Sequence, residues 1–339
     1  MSDSGVQRVA INGFGRIGRA VYRILHPRED MRVVAINDLY PSSDLAYLLK
    51  YDTVMGVLKV EISHEPDALI VAGRRVRLSS ERNPGQLPWH EERVDVVIEA
   101  TGVFRTREQL EPHLRAGAGR VILTVPPKDQ VDSIVVLGVN DDALRAEHRI
   151  VSNASCTTNC LAPVAKVLSD RFGIERGLMT TVHAYTNDQR LADVPHKDWR
   201  RARAATQNLI PTTTGAAKAV GKVLPELEGK LDGRAVRVPV PDGSVVDLLV
   251  VLKREASIES VNAAVAEASE GPMRNVLQYT EEEIVSSDII GNPHSSIFDA
   301  KSTQQIEPRV MRVLSWYDNE WGYSNRVVDL ARRLATLSA

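Results

Sequence analysis

Short, nearly continuous apolar runs alternate with amphipathic stretches through the first half of the chain. The runs Gln7–Asn12, Met31–Asn37, Val94–Ala100, Arg120–Val125 and Ser133–Val139 read as buried strands. Helical spacing lies between several of them, opened by Gly13–Gly18 and running to about Leu25, around Asp44–Leu49 and over Arg107–Ala116. Strands alternating with helices predict an α/β domain on a doubly wound parallel sheet. After about residue 156 the pattern lengthens. Alternating runs at Leu178–Tyr185, Ala235–Pro239, Ser244–Lys253 and Val310–Tyr317 predict half-buried strands of a mostly antiparallel sheet, an α+β arrangement. Helices are expected at Cys156–Phe172, Gly215–Leu224 and Ile258–Glu270. Near the end, Val327, Val328, Ala331, Leu334 and Ala335 share one helical stripe, and this helix is expected to dock back on the first domain. The resulting division is 1–155, completed by the helix 319–339, and 156–318.

Composition narrows the class. A chain of 339 residues with 43% hydrophobic and 25% charged residues suits two soluble globular domains. No apolar run has membrane-spanning length, and Met1-Ser2-Asp3-Ser4-Gly5 does not read as a secretory signal, so a cytoplasmic protein is expected. A net charge of −2 gives no pull towards nucleic acid or anionic lipid. The only cysteines are Cys156 and Cys160, too few for a disulfide framework and, with one distant histidine, for a zinc ligand set. No metal is expected.

Between the first strand and first helix, Gly13-Phe14-Gly15-Arg16-Ile17-Gly18 fits G-x-G-x-x-G. The first glycine allows a tight turn, the second lets backbone approach a pyrophosphate, and the third allows close helix–strand packing. Asp38 closes the second strand about twenty residues further on, where a carboxylate accepts from ribose hydroxyls and repels a 2′-phosphate. A Rossmann domain binding NAD rather than NADP is the expectation.

The second half carries the chemistry. Ser152-Asn153-Ala154-Ser155-Cys156-Thr157-Thr158-Asn159-Cys160 sets a thiol among polar neighbours where an extended segment turns into a helix. A helix N-terminus favours thiolate, and His183 arrives on the strand returning after that helix, as a base for the nucleophile. Lowering a thiol pKa from about 8.5 to about 6 needs roughly 3 kcal/mol, within reach of a helix terminus plus an imidazole. Cys160, one turn on, reads as core. His196 and His294 are weaker alternatives for the base. Pro211-Thr212-Thr213-Thr214-Gly215 leads into a helix and offers hydroxyls and free N–H groups to an anion. Arg237, between valines on a strand, needs an acidic partner or an anionic ligand.

Together these motifs resemble the phosphorylating glyceraldehyde-3-phosphate dehydrogenase family along essentially the whole chain. Ile11–Arg19, Ser152–Cys160, His183–Gln189, Thr214–Val220, His294–Asp299 and Trp316–Asn325 carry the likeness in family order. The resemblance implies that Cys156 is the nucleophile and His183 its base. It gives Thr186 and Arg237, with Asp188 nearby, to the substrate's C3 phosphate, and Ser155, Thr157, Thr214 and Gly215 to attacking inorganic phosphate. For NAD it implies Asn12, Gly13, Phe14, Gly15, Arg16, Ile17, Gly18, Asp38, Arg82, Thr101, Gly102, Thr124, Asn319 and Tyr323. Asn319 would fix the nicotinamide carboxamide, with Tyr323 packed beside the ring. Residues 187–205 match the family's S-shaped loop, which implies a homotetramer and salt bridges for Arg200, Arg201 and Arg203. Two segments depart from the family pattern, Thr124–Lys128 and Ala100 within Glu99–Gly102, both towards the nicotinamide side.

The implied reaction is oxidation of D-glyceraldehyde 3-phosphate, with NAD and inorganic phosphate, to 1,3-bisphosphoglycerate through a Cys156 thioester, a glycolytic step. Erythrose-4-phosphate dehydrogenase is the sister alternative. Leu144–Ile150 resembles it, but Thr186 speaks for the smaller sugar phosphate. A catalytically inactive binding protein on the same fold is the alternative from another class.

Overall fold

The five apolar runs of the first half are strands of a nine-stranded sheet in the computed structural model, which describes residues 5–337. These are β1 (Gln7–Asn12), β2 (Met31–Asn37), then β3 (Ile62–Glu65), β4 (Ala68–Val71), β5 (Arg74–Ser79), β6 (Val96–Glu99), β7 (Arg120–Leu123), β8 (Ser133–Ile134) and β9 (Ile150–Ser152), in the order β3-β4-β5-β2-β1-β6-β7-β9-β8. From β5 to β8 all neighbours are parallel. Val96, Val97 and Ile98 are buried in succession, as a strand covered on both faces requires. The chain builds outward from β1 in one direction and then from β6 in the other. The order therefore reverses between β1 and β6, where doubly wound sheets open a crevice at the strand ends.

Helices α1 (Arg16–Leu25), α2 (Ser42–Lys50) and α3 (Arg107–Arg115) connect these strands. Gly18 is fixed by packing, because a Cβ there would lie 2.1 Å from the carbonyl oxygen of Gly13. The β3–β5 ribbon is an antiparallel addition absent from the sequence reading. Its β4–β5 turn takes Ala72 and Gly73 at φ 49° and 77°, a left-handed pair usually announced by Asn-Gly. The strand expected over Ser133–Val139 stops at Ile134. There Asn140 Oδ1 accepts from Val136 N (2.8 Å) and Asp141 Oδ1 from Gly138 N (2.8 Å), folding the segment into turns.

The second compact unit holds Val136–Asp141 and Ser155–Tyr323. Its elements are α4 (Cys156–Phe172), β10 (Ile174–Ala184), β11 (Ile210–Thr213), α5 (Ala216–Val223), β12 (Leu231–Val238), β13 (Ser244–Leu252), α6 (Ile258–Glu270), β14 (Leu277–Thr280), β15 (Ser296–Glu307) and β16 (Val310–Tyr317). The strands form a sheet of order β11-β12-β10-β13-β16-β15-β14, antiparallel except for β10/β12 and β14/β15. Parallel register sets His183 beside Arg237. Cys160, Leu161 and Val164 of α4 pack on Val246, Leu248 and Val313, which gives Cys160 its core position.

The last helix, α7 (Trp321–Ala335), lies within the expected 319–339. From Ser324 onward it belongs to the first unit, where Gln7 Nε2 donates to Ala331 O (3.1 Å) and Arg120 Nη1 to Leu334 O (3.0 Å). Its start has a local cause. Asp318 Oδ1 accepts from Glu320 N (2.9 Å) and Trp321 N (2.6 Å), while its Oδ2 accepts from Gly291 N (2.7 Å). Asp242 is buried close by, and burial together with repulsion from Asp318 and Glu320 pushes its carboxyl up to about 9.

A carboxyl raised in the folded state keeps a proton that the unfolded chain releases above its ordinary value. It therefore costs stability increasingly as pH rises from about 4 towards 9. Asp242→Asn is expected to stabilise the protein at pH 8 by roughly 1–3 kcal/mol. In urea unfolding followed by circular dichroism, that gain should shrink as pH falls towards 4. A gain independent of pH, or a loss at pH 8, would contradict this account.

Candidate active site

Ser155 caps α4: its Oγ accepts from Thr158 N (3.1 Å), so Cys156 takes the first helical position. Just before it, Ala154 holds φ 54°, a left-handed conformation that costs a residue with a Cβ about 1 kcal/mol or more and aims the chain into the helix. Cys156 Sγ lies 3.5 Å from His183 Nε2. His183 is buried, its ring meets Tyr317 edge-on at 5.8 Å, and its Nδ1 is 2.7 Å from Ala184 O. Nδ1 is thus placed either to donate to that carbonyl or to accept from Arg237, and the tautomer that donates to the carbonyl leaves Nε2 as an acceptor facing the thiol, the arrangement of a base. Arg237 Nη1 donates to Ala184 O (3.0 Å) and stands 2.7 Å from His183 Nδ1.

Electrostatics here differ from the expected depressed thiol. Cys156 keeps partial exposure, yet the protein around its sulfur pushes the thiol up, outweighing Arg237 and the Thr157 hydrogen bonds that favour thiolate. Burial first, then Arg237, holds the His183 imidazole down to about 3. The resting pair is thus a neutral thiol facing a neutral imidazole. Helix terminus and imidazole do not offset desolvation of the thiol.

The other candidates fall into distinct settings. Thr157 Oγ1 bonds Tyr317 OH (2.9 Å), which also bonds Thr181 Oγ1 (2.8 Å), so the Thr157 hydroxyl is tied into the core. Thr186 N donates to Gln189 Oε1 (3.2 Å). Asp188 pairs with Arg201, whose Nε also donates to Thr212 Oγ1 (3.0 Å). Arg201 is close enough to depress both His183 and Arg237. Sequence reasoning gave it only a salt-bridge role, and nothing in a run of loop arginines marks it out. Gly215 caps α5 without a side-chain hydrogen bond, and the space where its Cβ would stand is open. Thr214 Oγ1 accepts from Ala216 N (3.2 Å). Asn319 Oδ1 accepts from Ser244 Oγ (2.6 Å), which itself accepts from Ala184 N (3.1 Å). Ser244 was invisible in the sequence because it opens an ordinary alternating strand. Tyr323 is buried.

In the first unit, Gly13 takes φ +91°, and a Cβ on it would lie 2.7 Å from Thr101 N. Gly15 caps α1 with no side-chain hydrogen bond and nothing within 4 Å of its missing Cβ. A helix start with no side-chain cap and open space beside it suits a pyrophosphate. Phe14 N donates to Asp38 Oδ2 (2.7 Å), Arg16 Nη1 to Asp52 Oδ2 (2.6 Å), and Ile17 lies in the first turn of α1. Thr124 Oγ1 donates to Glu99 O (2.9 Å), Gly102 takes φ 70°, and Arg82 is exposed after Glu81. The Thr101 hydroxyl donates to Glu99 and accepts from Val103 N (3.1 Å), so its hydrogen bonds are spent on the fold. These residues fit a dinucleotide. Among the described residues no cluster of three or more His, Cys, Asp or Glu could hold a metal, and no helix is long and apolar enough to cross a membrane.

Comparison with known proteins agrees with this geometry. The family model for the NAD binding domain of glyceraldehyde 3-phosphate dehydrogenase matches residues 7–107, and that for its C-terminal domain matches residues 155–319. The chain is 55% identical over 325 residues to glyceraldehyde-3-phosphate dehydrogenase 2 of Streptomyces avermitilis, covering 95% of this chain and 97% of that protein. It is 54% identical over 329 residues to the Priestia megaterium glyceraldehyde-3-phosphate dehydrogenase, covering 97% and 98%. With the Mycolicibacterium smegmatis enzyme of that name it shares 54% identity over 331 residues, 95% and 97% of the two chains. The chain belongs to the glyceraldehyde-3-phosphate dehydrogenase family.

Proposed function

We propose that this chain oxidises D-glyceraldehyde 3-phosphate, with NAD and inorganic phosphate, to 1,3-bisphosphoglycerate through a thioester on Cys156. The observation that carries the reading is the 3.5 Å approach of Cys156 Sγ to His183 Nε2 at the start of α4. Cys156 Sγ adds to the aldehyde carbon as its proton passes to Nε2 and from there to the former carbonyl oxygen, forming a hemithioacetal whose hydroxyl oxygen accepts from the Cys156 backbone N–H and leaving His183 neutral again. NAD, when bound, supplies the hydride acceptor. His183 takes the hydroxyl proton as the carbon is oxidised, which leaves the thioester. Inorganic phosphate then attacks its carbonyl carbon, the C–S bond breaks, and the acyl phosphate leaves.

Arg237 and Thr186 hold the C3 phosphate in this scheme, and Ser155, Thr157, Thr214 and Gly215 form the site of the attacking phosphate. An anion beside Arg237 neutralises the charge that depresses His183, so substrate binding prepares the base. Asp188 acts through Arg201 instead of touching phosphate, since two anions side by side repel. Asn12, Gly13–Gly18, Asp38, Arg82, Thr101, Gly102 and Thr124 form the NAD site of the first unit, with Thr101 contributing backbone only, and the family resemblance gives Asn319 and Tyr323 of the second unit to the nicotinamide. The exposed apolar residues Leu191, Val194, Trp199 and Leu209 in and after the 187–205 loop support assembly with further copies of the chain, a homotetramer by family resemblance.

His183→Asn should slow pre-steady-state NADH formation about 10²–10⁴-fold. An unchanged burst would remove His183 from the proton transfer. Asp38→Ala should narrow the preference for NAD over NADP by about tenfold or more in kcat/KM. A ratio identical to that of the unaltered enzyme would show that this carboxylate does not select the cofactor.

A further inference from the structure

The last positions of β2, β1 and β6 are Asn37, Asn12 and Glu99, and strand register sets them side by side at the crevice. Asn37 Nδ2 donates to Asn12 Oδ1 (2.7 Å), and Asn12 Nδ2 donates to Glu99 Oε2 (2.6 Å). Glu99 Oε1 accepts from Thr101 N (2.9 Å) and from the Thr101 hydroxyl. On its far side, Glu99 Oε2 is 3.2 Å from His113 Nε2, and Trp89 Nε1 lies 3.0 Å from His113 Nδ1. Trp89, Glu99 and His113 have no exposure at all, and the indole stacks on the imidazole at 6.2 Å.

Donor chemistry fixes the direction of this chain. An indole N–H can only donate, so His113 Nδ1 accepts and the ring proton sits on Nε2, from which it is donated to Glu99. Glu99 thereby meets four donors, those of Asn12, His113, Thr101 N–H and Thr101 O–H. A carboxylate satisfies all four, whereas an amide of the same shape turns an N–H₂ on two of them. Neither site formation nor the fingerprint glycines explain why a sealed carboxylate with a histidine and a tryptophan behind it lies under the cofactor crevice.

We propose that Glu99, oriented by the Trp89–His113 pair, is a positioning residue for NAD: it fixes the Asn12 amide on β1 and the Thr101–Val103 loop after β6, the two strands where the sheet order reverses. The proposal rests on the NAD reading above. The same contacts explain the loop geometry, since Ala100 N donates to Asn12 O (2.8 Å) and Gly13 N to Asn37 O (2.8 Å). The dinucleotide's floor is thus built on side chains whose polarity runs one way, from Trp89 inward and from Asn37 across.

The test is NAD titration of the full-length enzyme by protein fluorescence, with steady-state kinetics beside it. Glu99→Gln should raise the NAD dissociation constant about tenfold, the loss of one or two charge-assisted hydrogen bonds, with kcat at saturating NAD and KM for glyceraldehyde 3-phosphate within about twofold. A purely structural role would lower kcat without moving NAD affinity, and that result, or an unchanged dissociation constant, overturns the proposal. Trp89→Phe keeps Glu99 but frees the His113 tautomer, so it should weaken NAD about two- to fivefold. If Glu99→Gln does not fold, this variant decides, and an unchanged dissociation constant overturns the proposal. Failure of the unaltered enzyme to bind NAD would instead sink the cofactor reading itself.

Discussion

Desolvation of the Cys156–His183 contact is the constraint on which the rest of the site depends. A thiol and an imidazole 3.5 Å apart can exchange a proton readily, but burial opposes charge on either partner. The structure answers with a cation in the neighbouring strand position: β12 runs parallel to β10 in a register that sets Arg237 beside His183. That cation favours thiolate on one side and opposes imidazolium on the other. An anionic substrate is therefore a working part of the electrostatics, because a negative group beside Arg237 relieves the cost of imidazolium, the state in which His183 carries the proton. Ala154 in a left-handed conformation and the Ser155 cap convert this balance into geometry, since they aim the first turn of α4 at the imidazole.

The first unit follows the same logic with different chemistry. Its apolar strands are covered on both faces, so polar function is confined to their last residues. Asn37, Asn12 and Glu99 occupy those ends and satisfy one another, while Gly15 opens α1 with open space where a Cβ would stand. Asp38 stands at the end of the same row. Burial thus sorts the unit into an apolar interior and a polar floor.

Both sheets, the fingerprint turn and the meeting of Cys156 with His183 are legible in the sequence because each rests on a local pattern: apolar period, glycine spacing, or a thiol at a helix start. The β3–β5 ribbon is not, because its type I′ turn uses Ala72-Gly73 and its outer strand is mostly exposed. Ser244, Tyr317 and Arg201 are missed for another reason. Each acts through a partner distant in sequence, and Ser244 bridging Ala184 and Asn319 leaves no trace in residue order. The thiol's electrostatics are misjudged from sequence because helix terminus and imidazole are local, whereas desolvation depends on everything packed around the sulfur.

The account stands on Cys156 becoming acylated. Enzyme mixed with NAD and glyceraldehyde 3-phosphate, without inorganic phosphate, can be acid-quenched within milliseconds, digested, and examined by peptide mass spectrometry. The account predicts a hydroxylamine-labile 3-phosphoglyceroyl group on the peptide that contains Cys156, discharged when phosphate is added before the quench. An unmodified Cys156 in enzyme that has already produced one equivalent of NADH, or the acyl group on Cys160 instead, would contradict it.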